Sequence, residues 1–259
     1  MFDYNGAWSE PFARNGWNVI MLDKKHGFDI MQISGVDYVF EEMGVEECHG
    51  IIAAPPCTKY AVSGAKHWKK FDAIQKTLFG DYDPMEVYDE LVSQTLRMVN
   101  LFTPTDPEYG DEEGQTWFWA LENPVGRIAK RFPELGSAWY FDPFEFAGYL
   151  EPSKAILKKL DAIRKKNGHG ITDLEAELIY NTEVYSKHTG LWGNFNSDLI
   201  KKPIAKVNGA PSGTVLQRAG GKSDKTKEYR SNTPYGFAQA FYEANHAWTG
   251  FRDQDIIID

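Results

Sequence analysis

A cysteine follows two prolines at the end of an apolar run, residues 50–57 reading Gly-Ile-Ile-Ala-Ala-Pro-Pro-Cys. Proline ends a strand and stiffens the chain, so Cys57 belongs to a strand tip rather than a strand interior. The only other cysteine is Cys48. Two cysteines make no disulfide framework, and a thiol in a reducing compartment stays available as a nucleophile. The duller reading of Cys57 is a small buried hydrophobe; the paired prolines speak against it. A second apolar run, residues 116–121, leads into Glu122-Asn123-Pro124. A carboxyl group there suits acid–base work, the alternative being a charge at a helix start. A third run, residues 17–22 (Trp-Asn-Val-Ile-Met-Leu), ends at Asp23, which reads as a ligand for hydroxyl groups or as a solvated loop acid. The six histidines show no ligand spacing with the cysteines. Cys48-His49 is a lone pair that reads as structural, and no metal is expected.

These groups need a scaffold that gathers them. Helical patterns cover residues 9–15, 86–102 and 126–131, and they alternate with the three apolar runs. Strands alternating with helices imply an α/β chain with a mostly parallel sheet, and in such sheets chemistry sits at the carboxyl ends of strands. All three runs end there in Asp23, in Pro55-Pro56-Cys57, or in Glu122-Asn123-Pro124. Residues 153–180 read as a charged helical insert, residues 203–230 as a long basic loop, and residues 235–247 as an amphipathic helix after Pro234. A single catalytic domain over residues 1–259 is expected.

The chain has 259 residues with 14% aromatics, which argues against disorder. No apolar run approaches a membrane span of roughly 18–20 residues, and no signal-peptide pattern opens the chain, so a cytoplasmic protein without a membrane partner is expected. The net charge is −9. Basic residues nevertheless concentrate in two stretches. Lys59, Lys66, Lys69 and Lys70 fall within residues 59–70 without an acid, and residues 201–230 carry eight Lys or Arg against two acids. Either stretch alone reads as a solvated loop. Together they allow a phosphate-facing side.

Taken together, these motifs resemble those of the cytosine-C5 methyltransferases. The family's catalytic loop, Pro-Cys followed by an aromatic and Ser-Gly, is matched by Pro56-Cys57, Tyr60 and Ser63-Gly64. Its Glu-Asn-Val is similar to Glu122-Asn123-Pro124, and its first cofactor loop to residues 2–6, Phe-Asp-Tyr-Asn-Gly, followed by Ala7-Trp8-Ser9. Residues 28–30, Phe-Asp-Ile, resemble a further motif, and residues 230–245 resemble the last helix of phage-type members. The resemblance implies a Rossmann-like class I methyltransferase fold, S-adenosylmethionine as cofactor and double-stranded DNA as partner, in a monomer. For a phage-encoded chain, the compartment is the host cytoplasm. It assigns the catalytic roles to Cys57, Glu122 and Asn123. Cys57 would add to carbon 6 of cytosine, Glu122 would hydrogen-bond or protonate N3, and Asn123 would hold the loop. It places the cofactor against Phe2, Asn5, Gly6, Trp8, Asp23, Asp29 and Pro55. The cytosine and the DNA fall to Pro56, Lys59, Ser63, Lys66 and Lys187. As aromatics, Phe2 and Trp8 read equally as core.

The chain departs from the family in three places. Tyr4 stands where the family has glycine. Residues 185–192, Tyr-Ser-Lys-His-Thr-Gly-Leu-Trp, replace an arginine-rich segment, with Thr189 where an arginine contacts the cytosine carbonyl. No large target-recognition domain is legible, so a short or relaxed target is expected. Two other functions stay open at this point: C5 modification of a free cytosine nucleotide or of RNA, and a non-catalytic relative that binds DNA or cofactor.

The strand that should lead into the loop at residues 2–6 is missing ahead of it. Residues 255–258, Asp-Ile-Ile-Ile, are β-branched and apolar. The expectation is a circularly permuted chain in which these residues supply the central first strand. The alternative is a misassigned start with a frayed tail.

Overall fold

The structure, a computed structural model, describes residues 1–33, 47–62, 86–104, 117–150, 186–204 and 232–248, together with Gly35, Tyr38, Glu41, Gly44, Ala65, Trp68, Lys69 and Glu183. The candidates Ser63 and Lys66, the insert at 153–180, residues 205–230 of the basic loop and the tail at 255–258 lie outside the described residues.

The described chain is α/β with a small mixed sheet. Strand β1 spans Gly50–Ala53 and β2 Phe118–Pro124, while β3 (Trp139–Phe141) and β4 (Thr189–Trp192) complete the order β1-β2-β4-β3. The helices are α1 (Glu10–Arg14), α2 (Glu86–Phe102), α3 (Ile128–Arg131) and α4 (Tyr235–Asn245). β1 and β2 are parallel, with Ala53 opposite Leu121. The expected parallelism stops there, because β2–β4 and β3–β4 are antiparallel.

Alternation along β2 divides the core. Trp119 and Leu121 face one cluster with Ile51 of β1 and Val92, Leu96 and Val99 of α2. Those α2 residues are spaced by four and three, so one helical stripe buries against the sheet. Phe118 and Ala120 face a second cluster with Phe12 of α1 and Phe237 and Phe241 of α4. Helices thus cover both faces of the β1–β2 pair, so both faces are apolar. Phe141 and Phe237 stack at 4.0 Å, joining β3 to α4.

Residues 17–22 do not form a strand in the described structure. They are joined to the first residues of the chain by the Phe2 N–H, which donates to the Leu22 carbonyl at 3.0 Å. An apolar run becomes a ladder strand only where a neighbouring backbone lies in register, and among the described residues this run has none beyond Phe2.

Candidate active site

The parallel pairing of β1 and β2 brings two of the three sequence-marked strand ends together. Glu122 and Asn123 continue β2 one and two residues beyond the Ala53–Leu121 pair, and Cys57 follows β1 after the two prolines. The Asn123 side-chain amide donates to the Pro55 carbonyl at 3.1 Å. The loop after Cys57 closes on itself, the Tyr60 and Ala61 N–H groups both donating to the Cys57 carbonyl at 2.9 Å. It is then stitched to the chain after β2. Val62 N–H donates to Val125, Arg127 N–H donates to Tyr60, and the Arg127 side chain donates to the Lys59 carbonyl at 2.7 Å. Gly126 is required in this contact, since a Cβ there would lie 1.8 Å from the Tyr60 carbonyl oxygen.

Tyr60, the loop's aromatic, is a structural anchor. It is buried, and its hydroxyl donates to Asp89 of α2 at 2.6 Å. Burial, with the Asp89 hydrogen bond second, pushes its pKa up. Asp89 is held in turn by Arg131. The thiol of Cys57 is half-buried and not in a disulfide. Pro56 is exposed beside it.

Glu122 and Asn123 are buried. The Glu122 Oε1 and Asn123 Oδ1 atoms have no hydrogen-bond partner among the described residues. The cation beside Glu122 is Lys187, its Nζ 3.6 Å from Oε1, with a side chain only 16% exposed. Lys187 was expected against phosphate or base, but the structure sets it against the acid. It reaches that position because β4 runs antiparallel to β2, with Leu191 opposite Glu122 and Thr189 opposite Pro124. That pairing was not legible in the sequence, where residues 189–192 carry no strand alternation. Lys59 lies with its ammonium 5.8 Å from the Tyr88 ring, and Lys69 is exposed.

The candidate cofactor residues form a second group beside the first. The Met1 carbonyl accepts from the Ala54 N–H at 3.1 Å, so the loop at residues 2–6 begins next to Pro55. Phe2 has φ 59°, a left-handed conformation that is costly for an aromatic L-residue. Asp3, missed in the sequence, organises this loop. Its buried carboxylate accepts from the Trp8 and Ser9 N–H groups at 3.1 and 3.0 Å and from the Ser9 hydroxyl at 2.9 Å. A polar residue six positions ahead of a serine carries no recognisable signal until the loop folds around it. Asn5 is exposed, its side chain accepting from Ala7 at 3.3 Å. Gly6 takes φ 68°, where glycine is favoured.

Trp8 belongs to the core. Its ring is fully buried against Phe237 and Phe241, which leaves no face for a ligand to stack on. Tyr4, the residue in place of glycine, is exposed and turned toward the next loop. Its ring lies 5.2 Å from that of His26 and 3.9 Å from the Lys25 ammonium, and its carbonyl is hydrogen-bonded to His26. Asp23 is half-buried and accepts from the Lys25 N–H through Oδ1 at 2.8 Å. Asp29 accepts from the Met31 N–H and pairs with Lys24 at 2.8 Å. The Lys24 hydrogen bond holds its carboxyl below the ordinary range. The Asp23 side chain thus meets a backbone N–H, whereas Asp29 is engaged by a cation.

Among the described residues, no group of histidine, cysteine and carboxylate side chains could hold a metal ion, and no helix is long and apolar enough to cross a membrane. No protein-family model matches this chain, and no curated protein matches it.

Proposed function

We propose that the chain is a methyltransferase that modifies carbon 5 of cytosine in DNA through a covalent adduct to Cys57, on a Rossmann-like fold. The observation that carries this reading is the strand-end pair beside the Cys57 loop. There the Glu122 Oε1 and Asn123 Oδ1 atoms are buried without a hydrogen-bond partner among the described residues, while the Asn123 amide ties their strand to Pro55 at 3.1 Å. Buried polar atoms are nearly always hydrogen-bonded, and Asn123 Oδ1, with Glu122 Oε1 facing the Lys187 ammonium only at 3.6 Å, supports a place here for a ligand's polar edge.

S-adenosylmethionine would supply an electrophilic methyl group. It fits the chain in part: the half-buried Asp23 suits ribose hydroxyls and the 2–6 loop lies beside Pro55, whereas Asp29 is engaged by Lys24 and Trp8 is in the core. The chain's own residues do the rest. The Cys57 thiolate forms a bond to carbon 6 of the ring, and the electron pair of the 5,6 double bond becomes available at carbon 5. Negative charge spreads toward N3, where Glu122 donates a hydrogen bond or a proton. The Lys187 ammonium lies 3.6 Å from the Glu122 Oε1, beside the edge of the ring that this acid would face. Asn123 keeps the nucleophile's loop and the acid in one frame. After the methyl group is in place, loss of the carbon-5 proton lets the sulfur leave with its bonding pair. The flipped base reaches such a site only after leaving the duplex stack.

Incubation with duplex DNA and S-adenosylmethionine, followed by mass spectrometry of the nucleosides, tests this reading. 5-Methylcytosine is expected with the parent protein and is expected to be absent with Cys57→Ser. Trapping on 5-fluorocytosine in DNA but not on 5-fluoro-dCMP assigns the polymer as substrate. The reverse result assigns the free nucleotide.

A further inference from the structure

We propose that the stacked rings of Tyr140 and His188 form a platform for one nucleobase of the target strand, a few nucleotides from the cytosine. The inference rests on the DNA reading above and narrows it, since a free nucleotide has no neighbouring base to place there.

The sheet register sets the platform beside the site. Val125 follows the Glu122-Asn123-Pro124 strand end. Its N–H donates to the His188 carbonyl, and its own carbonyl accepts from Val62 of the Cys57 loop, both at 3.0 Å. His188 thus flanks the end of β2 on one side and the Cys57 loop flanks it on the other. Within the ladder, Asn123 pairs with Gly190, and Gly190 pairs with Tyr140. Directly opposed residues share a face, so Asn123 and Tyr140 belong to one row on one face of the sheet. Neighbouring strands lie about 4.8 Å apart, which puts the two backbones about 10 Å from each other. Three stacked nucleotide steps of about 3.4 Å cover that distance.

The chemistry of the patch selects a base over a phosphate. The Tyr140 and His188 rings lie 5.0 Å apart with 17° between their planes. Tyr140 is 45% exposed, and the His188 side chain 59%. Trp139 and Phe141 pack on the cluster under α1 and α4, so alternation along β3 turns Tyr140 to the opposite face. A third ring can extend such a stack, and every base has a π-face to offer. Asp142 flanks the imidazole, its Oδ2 3.8 Å from His188 Nδ1. A carboxylate there repels a phosphodiester but not the flat face of a base. The neighbouring cation, Lys187, is set against Glu122. Stacking tolerates any sequence, which suits a chain with no legible target-recognition domain.

The probe is a fluorescein-labelled duplex whose target strand holds one cytosine, mismatched so that its easy extrusion fixes the register. Nucleotides flanking that cytosine are replaced one at a time by abasic residues, which remove the base and keep the phosphate. Affinity is read by anisotropy on the full chain without S-adenosylmethionine. For the parent protein, one abasic position is expected to weaken binding about tenfold. Tyr140→Ala should bind the complete duplex about tenfold more weakly and be indifferent to that position. Tyr140→Phe, which keeps the ring, should behave as the parent. If Tyr140→Ala does not fold, His188→Ala replaces it. A parent protein that does not bind the duplex or responds to no abasic position overturns the proposal, as does a Tyr140→Ala variant that still responds. Nucleoside analysis separates this outcome from that of the activity. Abasic sensitivity without 5-methylcytosine discards the activity and keeps the platform, whereas 5-methylcytosine without abasic sensitivity discards the platform alone.

Discussion

Asn123 and Pro55 are 68 positions apart in the chain, yet the side-chain amide of one donates to the carbonyl of the other at 3.1 Å. This bond joins the strand end that carries Glu122 to the turn that carries Cys57. Asn123→Ala removes it in a fully buried setting. A displacement of about 1 Å at a reacting centre costs on the order of 100-fold in rate. A loss of that size in methyl transfer is expected, with about 1–3 kcal/mol of stability from the carbonyl left unpaired. Single-turnover kinetics and urea denaturation separate the two effects.

In the proposed mechanism Glu122 acts only on the reacting ring. Glu122→Gln keeps the shape and removes the proton donor. Methyl transfer should fall by roughly 10²–10⁴-fold, while DNA affinity measured by fluorescence anisotropy stays within about twofold because no phosphate contact is lost. Equal loss of binding and turnover would contradict the assigned role.

Gly126 tests the stitching of the two loops. A methyl group there cannot coexist with the Tyr60 carbonyl at 1.8 Å, so Gly126→Ala must open the contact between Ala61 and Gly126. Destabilisation of about 1–3 kcal/mol is expected from the forced shift. Cys57 should alkylate faster with iodoacetamide as its loop loosens.

Glu183 supplies a pH dependence. Its buried carboxylate accepts from the Tyr235 and Gly236 N–H groups at 2.5 and 2.9 Å at the start of α4. Burial pushes its pKa up from 4.5 to about 7, against the pull of those two donors. The folded protein therefore binds the proton more tightly than the unfolded chain. The associated stability is full below about pH 4.5 and is lost as pH rises through about 7, by at most roughly 3 kcal/mol. In Glu183→Gln this fall between pH 5 and pH 8 should disappear, as read by urea unfolding at both values.

The residue order alone marked the helices as residues 86–102 and 235–247 and the two strands as apolar runs at 50–54 and 116–121, close to the observed Glu86–Phe102, Tyr235–Asn245, Gly50–Ala53 and Phe118–Pro124, and it marked the two strand ends that carry Cys57 and Glu122. These rest on local signals: apolar spacing that matches one element's period, and prolines that stop it. Tertiary structure alone decided three things. It set Lys187 against Glu122, because β4 pairs with β2 in a register that no local pattern announces. It sent Trp8 into the core and made Asp3 the organiser of its loop, because burial depends on what α4 brings over that face. Among the described residues it also left 17–22 out of the ladder, because an apolar run becomes a strand only when another backbone lies beside it to accept and donate the bonds.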